Sequence, residues 1–409
     1  MEGRDRTVGD GGVRLSSRAR GIKPSATLAV NARAKALAAQ GREVINLSVG
    51  EPDFPTPEAA SAAGVAAIEE GFTRYTPVPG IPALREAVSE KLRRDNGLDY
   101  SPEQIVVSTG AKQALYNAFQ VLCEPGDEVL IPSPYWVTYP EQVRLCGGVP
   151  VFVETDEESG YILDVGLLEK KVTPRTRLLV LNSPSNPTGA VYPRDVVEAV
   201  AELVLEHDLY LISDEIYEKL VYHGAEHTSP ASLGPEVKRR TVVINGVSKA
   251  YSMTGWRIGY AAAELPVARA MAALQGHVTS NPCSVAQKAA LGALRGAAGA
   301  VEEMVAEFEA RRDYMVGRLK EMPGLRTPEP EGAFYVFPSL DGLAGREVAG
   351  RRVQDGGDLA MALLEEAGVA VVPGAAFGKA DAVRLSYAAS MDLIKKALDR
   401  MEKVLRSAF

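Results

Sequence analysis

Residues 105–112, Ile105-Val106-Val107-Ser108-Thr109-Gly110-Ala111-Lys112, open with β-branched apolar residues and close on small residues around a glycine. A short apolar run bounded by turn residues reads as a buried strand, and residues 112–122 continue with a helical pattern. The unit is a strand, a tight turn and a helix. Helices are also predicted over 60–70 and 82–96, the latter with Leu84, Val88 and Leu92 on one face. On the other side, apolar strands follow at 128–131, 149–153, 178–181, 209–212 and 241–244. Strands alternating with helices imply parallel βαβ units and a doubly wound α/β sheet. Such sheets bind ligands beyond the carboxyl ends of their strands. The polar residues there are Gly110, Asn182, Asp214 and the pair Ser248-Lys249.

A chain of 409 residues is long for one core and predicts two packed domains. The stretch 283–320 reads as a long helical link to a second unit over about 325–409, and 342–357 as a glycine-rich surface loop. A net charge of -8 argues against nucleic acid as a partner. No apolar run is long enough to span a membrane. The three cysteines, Cys123, Cys146 and Cys283, show no redox or zinc spacing and read as small buried residues in a reducing compartment. His207, His223, His227 and His277 show no metal-ligand spacing. Residues 1–20 are rich in Arg and Gly without an apolar segment, so they read as a mobile tail rather than a secretory signal. A cytoplasmic enzyme is expected, with an organelle address as the alternative reading of that tail.

The strand-end residues carry a coherent chemistry. A buried lysine at Lys249 would have a lowered pKa and act as an amine nucleophile toward an aldehyde. Arg257, at the glycine-containing turn Met253-Thr254-Gly255-Trp256-Arg257, suits a phosphate. The turn at Gly110 offers the same anion a helix N-terminus. Asp214 could pair with a protonated ring nitrogen, as pyridoxal 5′-phosphate (PLP) requires. Tyr217 and Asn186 could reach that cofactor's phenolic oxygen. Each has an ordinary reading too: a surface charge, a plain turn, a helix N-cap for Asp214, a packing tyrosine, a turn asparagine. Their joint occurrence at strand ends favours a site.

Eight stretches carry a resemblance: 49–54, 75–77, 110–114, 133–137, 182–189, 213–217, 248–259 and 384–387. On these the chain resembles the fold-type I PLP aminotransferases, in particular the bacterial (subgroup Ib) aspartate aminotransferases. The resemblance implies a large PLP-binding domain with a central, mostly parallel seven-stranded sheet flanked by helices, plus a smaller α/β domain. It divides the chain into the tail 1–20, a segment 21–49 packing with the small domain, the large domain 50–320 and the small domain 321–409. It implies that Lys249 carries the cofactor and moves the proton, that Asp214 holds the ring nitrogen, and that Trp136 stacks on the ring. Asn186 and Tyr217 would bond the phenolic oxygen. Gly110, Ala111 and Arg257 would bind phosphate, with Lys112 and Ser248 beside them. Tyr75 would reach the phosphate of a neighbouring subunit, which makes the enzyme a homodimer with shared sites. Arg384 would clamp the substrate α-carboxylate, near the backbone of Gly50 and beside Trp136 and Asn186.

The best-known aspartate aminotransferases use a partner-subunit arginine for the distal carboxylate. The stretch Val278-Thr279-Ser280-Asn281 holds no counterpart, and the subgroup resembled uses a lysine at the position of Lys112. Lys23, in Ile22-Lys23-Pro24, resembles members that also transaminate prephenate to arogenate. The expected reaction is therefore transamination between aspartate and 2-oxoglutarate. Alternatives are a bifunctional aspartate/glutamate-prephenate aminotransferase, an aromatic, alanine or kynurenine type, or a PLP lyase or synthase such as those making cyclopropane amino acids. A PLP-fold, effector-sensing regulator is the non-enzyme alternative, disfavoured by the short segment before Lys23 and the acidic charge.

Overall fold

The computed structural model describes residues 15–22, 24 and 26–409. The tail expected over 1–20 lies largely outside these residues, and so does Lys23. The described part of the tail holds one short helix, Ser17–Gly21, capped by the Ser16 side chain.

Seven strands form the central sheet: β1 (Ile105–Thr109), β2 (Glu128–Ser133), β3 (Val149–Glu154), β4 (Thr176–Asn182), β5 (Tyr210–Asp214), β6 (Thr241–Gly246) and β7 (Ile258–Ala262). Their spatial order is β1-β7-β6-β5-β4-β2-β3. The pairs from β3 through β6 are parallel. β7 runs antiparallel to both β6 and β1, so the other six strands share one direction. The strands read from the alternating pattern stop short of β7, and the mostly parallel seven-stranded sheet that the resemblance implied is the one observed. β7 follows β6 through the turn carrying Lys249 and Arg257, and a return without a crossover helix must be antiparallel. β2, β6 and β7 are buried along their whole length, as expected of a sheet covered by helices on both faces.

Helix α1 (Ala111–Leu122) packs Ala114, Leu115, Ala118 and Phe119 into the core. The helix Pro82–Asn96 is bounded by Pro at its start and by Gly97 in the left-handed conformation at its end, the usual proline-first, glycine-last asymmetry. The predicted helical link over 283–320 is two helices, Ser284–Gly296 and Ala298–Lys320, broken at Ala297. The glycine-rich stretch near 350 includes a small hairpin, Glu347–Val348 with Arg351–Arg352.

Beyond residue 325, a three-stranded antiparallel sheet is ordered Val372–Pro373, Val383–Ser386, Tyr335–Val336. The final helix, Met391–Leu405, is capped by Ser390 and buries Ile394, Leu398, Met401 and Leu405 in one stripe. Ile45–Asn46 adds in parallel to Val369–Ala370, and the Leu47 carbonyl accepts from Ser386 N at 2.8 Å. These pairings carry the segment 48–51 to the carboxyl edge of the large sheet. Among the cysteines only Cys123 is buried; Cys146 is half-buried and Cys283 exposed, contrary to the expectation of three buried thiols. Among the described residues, no helix is long and apolar enough to cross a membrane.

Candidate active site

A cleft of about 410 Å³ opens beyond the carboxyl ends of β4, β5 and β6, where the parallel topology requires a ligand site. Its walls include Lys249, Asp214, Arg257, Arg384, Trp136 and Tyr217. Gly50, Ala111, Lys112, Asn186 and Ser248 also line it. Tyr75 does not: it stands 91% exposed on the single chain.

Lys249 follows β6 by three residues and points its Nζ at the Gly50 carbonyl, 2.5 Å away. Burial lowers its pKa to about 8, Arg384 and Arg257 add to that, and Glu51 opposes it. Asp214 ends β5 and is 3% exposed. Its Oδ2 accepts from Tyr139 Oη at 2.6 Å and its Oδ1 from Ile216 N at 3.3 Å. Burial raises its pKa to about 6, against the Tyr139 bond, which favours the ionised form. Asn182, at the end of β4, ties the two loops together: its Nδ2 donates to the Asp214 carbonyl at 3.0 Å and its Oδ1 accepts from Asn186 N at 2.9 Å.

The anion-binding elements converge. Gly110 caps α1 with φ of 77°, and a Cβ there would lie 2.3 Å from Arg257 Nη2. Helix N-terminus and guanidinium thus frame one small cradle. Arg257, itself in a left-handed conformation, donates to the Thr254 carbonyl at 2.9 Å. Lys112, in the first turn of α1, lies 4.9 Å over the Trp136 ring, its pKa lowered by burial and then by Arg257.

Arg384, on the middle strand of the small sheet, is 2% exposed. Nη1 donates to Asn186 Oδ1 at 3.0 Å and Nη2 to the Ser48 carbonyl at 2.7 Å. Its Nε is buried without a partner among the described residues. The Tyr335 and Phe377 rings lie 4.4 and 5.0 Å away. Burial lowers its pKa, and among the described residues the groups that favour its charge are the phenols Tyr335 and Tyr217, not a carboxylate. A buried guanidinium with no internal anion is arranged to receive an external one.

Sequence reasoning missed several wall residues. Tyr139, in the first turn of the helix Thr138–Leu145, sits three residues after Trp136 with its ring 5.4 Å away, a spacing that could have flagged it. Tyr335 meets the Tyr217 hydroxyl at 2.9 Å across 118 residues of chain. No local pattern announces such a contact. Glu51 and Ser48 arrive on the same N-terminal segment as Gly50.

Comparison with known proteins agrees with this geometry. Residues 42–401 match the family model "Aminotransferase class I and II". The chain is 49% identical to an aspartate aminotransferase of Geobacillus stearothermophilus, covering 97% of this chain and 100% of that one. It is also 49% identical to an aspartate/prephenate aminotransferase of Cereibacter sphaeroides, covering 93% and 96%. Among solved structures, the Thermus thermophilus aspartate aminotransferase with maleate superposes with a TM-score of 0.91 at 47% identity, covering 96% of this chain and 100% of that one.

Proposed function

Because this chain belongs to the class I and II aminotransferase family and is a PLP-dependent enzyme, we propose that it carries the cofactor on Lys249 and exchanges the amino group between L-aspartate and 2-oxoglutarate, giving oxaloacetate and L-glutamate. The observation that carries this reading is the convergence of Lys249, Asp214 and Arg384 on one cleft.

The residues present fit the cofactor. The cradle between Gly110 and Arg257 suits its phosphate, and a buried carboxylate, Asp214, suits its ring nitrogen. When bound, PLP supplies an aldehyde for amino groups and a ring that accepts the electron pair released at the substrate Cα. The chain does the rest. Lys249 presents an amine whose lowered pKa makes its neutral, nucleophilic form available near neutral pH. Once displaced by substrate, that amine moves the proton from Cα. Asp214 holds the ring nitrogen protonated, and Tyr139 keeps Asp214 ionised. Tyr217, ordered by Tyr335, and the Asn186 amide donate to the phenolic oxygen. Arg257, with the backbone N–H groups after Gly110, holds the phosphate, Ser248 standing beside them. Trp136 covers the ring face. Arg384 clamps the α-carboxylate with the guanidinium N–H groups left over from Asn186 and Ser48. Lys112 meets the distal carboxylate.

We read 50–320 as the cofactor domain and 321–409 as the smaller one, with 21–49 packed on it. Ile45 and Leu47 share a hydrophobic cluster with Ile394 and Leu398, which supports that division. We also read the enzyme as a cytoplasmic homodimer. Tyr75 then serves the partner's phosphate, and the exposed Val65 and Ile68 offer apolar surface for a subunit contact. A second reading, prephenate as an acceptor, is favoured by the similarity to the Cereibacter sphaeroides protein. Assaying oxaloacetate, 2-oxoglutarate, prephenate and phenylpyruvate as acceptors decides between them. Rapid exchange with the two dicarboxylates alone supports the first reading, added turnover of prephenate supports the second, and no amino transfer to any acceptor refutes both.

Two further outcomes are expected. Cofactor capture by the cofactor-free protein should rise about tenfold per pH unit up to pH about 8 and level off above it, because the neutral amine is the nucleophile. A rate still climbing toward pH 10 in stopped-flow absorbance would contradict the lowered pKa. Gly110→Ala should weaken cofactor binding by about 10²-fold in a titration of the cofactor-free protein. The Cβ would push Arg257 off the phosphate and strain a left-handed residue.

A further inference from the structure

Beneath the cleft side of the turn after β5 lies a second, buried set of charges. Asp214 and Tyr217 line the cleft. Glu215 and Glu218, one residue on from each, do not, and they are buried at 0% and 8% exposure. Glu215 Oε1 accepts from Ser213 Oγ at 2.8 Å and from Ser229 Oγ at 2.6 Å. Its Oε2 stands 3.2 Å from His227 Nε2. Glu218 accepts from Lys91 and, at 2.6 Å, from Asn96 Nδ2. Asp95 lies 3.9 Å from Lys91, 2.9 Å from Lys219 and 2.7 Å from Arg94. The His227 side chain is 6% exposed. Among the described residues, neither its ring nitrogens nor Glu215 Oε2 makes an aligned hydrogen bond.

Lys91, Lys219 and Arg94 pair with Asp95 and Glu218, whereas among the described residues Glu215 has no ion-pair partner but His227. The phenols that feel these carboxylates, Tyr100, Tyr251 and Tyr260, are pushed up by burial and stay neutral. An uncompensated anion in such a place is costly, and a proton on His227 removes it. Burial opposes that proton, but contact with Glu215 and the charge of Glu218 outweigh it, so the imidazole pKa is raised. Ligand atoms of Glu215, Glu218 and His227 lie within 4.8 Å of one another. A metal ion among them would face the Lys91 ammonium already bonded to Glu218, so a proton suits the site better.

This cluster bears on the chemistry through Asp214. Burial is the main upward push on the Asp214 pKa, and the charge of Glu215 adds to it. We propose that His227, as an imidazolium, is a positioning residue for amino transfer: it neutralises Glu215 and so keeps the neighbouring Asp214 ionised to hold the cofactor's ring nitrogen. The proposal rests on the reading of Asp214 as the ring-nitrogen partner.

The test is the pH profile of kcat/KM for the holoenzyme, for H227Q and for E215Q/H227Q, alongside nitrogen-15 NMR of the imidazoles in the unmodified protein. In H227Q the acid limb should move up by about one pH unit, a loss of about tenfold at a pH on that limb. Adding E215Q should return the limb, because the anion that needed a counter-charge is gone. One of the four histidines should remain doubly protonated well above pH 6.5, and its signal should vanish in H227Q. An acid limb unmoved in H227Q, or moved and not restored by E215Q, overturns the proposal. If neither variant folds, the NMR decides alone: a His227 ring neutral at about pH 6.5 overturns it and a doubly protonated one sustains it. A wrong assignment of Asp214 would look different, because Asp214→Asn would then keep its activity whatever His227 does.

Discussion

Replacing Lys249 with alanine is expected to lower kcat for aspartate by about 10⁴-fold, while the cofactor stays bound. The two halves of that expectation have different origins. On the proposed reading the rate falls because the amine both attaches the cofactor and moves the Cα proton. Nζ bonds the Gly50 carbonyl and lies 5.9 and 5.7 Å from the ring centroids of Tyr217 and Phe334. Binding persists because the phosphate cradle at Gly110 and Arg257 and the carboxylate of Asp214 are untouched. Gel filtration with absorbance detection, paired with steady-state assays, checks both. A variant that loses the cofactor altogether would mean that the covalent link, not the cradle, dominates retention. One that turns over normally would mean that Lys249 is not the base. Lys249→Arg should be equally inactive, because a guanidinium does not give up its proton.

Arg384→Ala is expected to raise KM for aspartate by 2–5 kcal/mol in binding terms, about 30-fold to several thousand-fold. It should leave folding intact. The guanidinium is buried without an internal carboxylate and its charge is disfavoured by burial, so the folded chain is strained electrostatically until a substrate carboxylate arrives. Removing it should therefore leave the melting temperature unchanged or raise it, the usual exchange of stability for function. Arg384→Lys should fall between, since an ammonium cannot reproduce the planar fork and would leave the Asn186 or Ser48 contact unmade. A marked drop in melting temperature with KM unchanged would show Arg384 to be a structural residue instead.

Much of this site is legible in the amino-acid sequence. Asp214, Asn182 and Lys249 are legible because parallel topology puts strand-end residues on one edge, and strand ends are visible as apolar runs stopping at polar residues. Arg257 is legible by chemistry, as an arginine at a small-residue turn. The direction of β7 is not legible. Its run, Ile258–Ala262, is as apolar as its neighbours, and direction is set by the connection rather than the composition. Arg384 stands out as an unlikely surface charge between apolar residues, but its placement against Ser48 and Asn186 depends on contacts spanning 336 and 198 residues. Tyr335 and the Glu215–His227 cluster lie beyond local pattern for the same reason. Tyr75 is exposed on the single chain and does not line the cleft, so its part at the phosphate rests on the proposed dimer.

The most direct measurement is borohydride reduction of the yellow holoenzyme followed by peptide mapping. The cofactor mass should be found on one peptide only, attached to the side chain of Lys249 in Ser248-Lys249-Ala250. Its recovery on another lysine, Lys112 for instance, or on none, would contradict the assignment of this cleft.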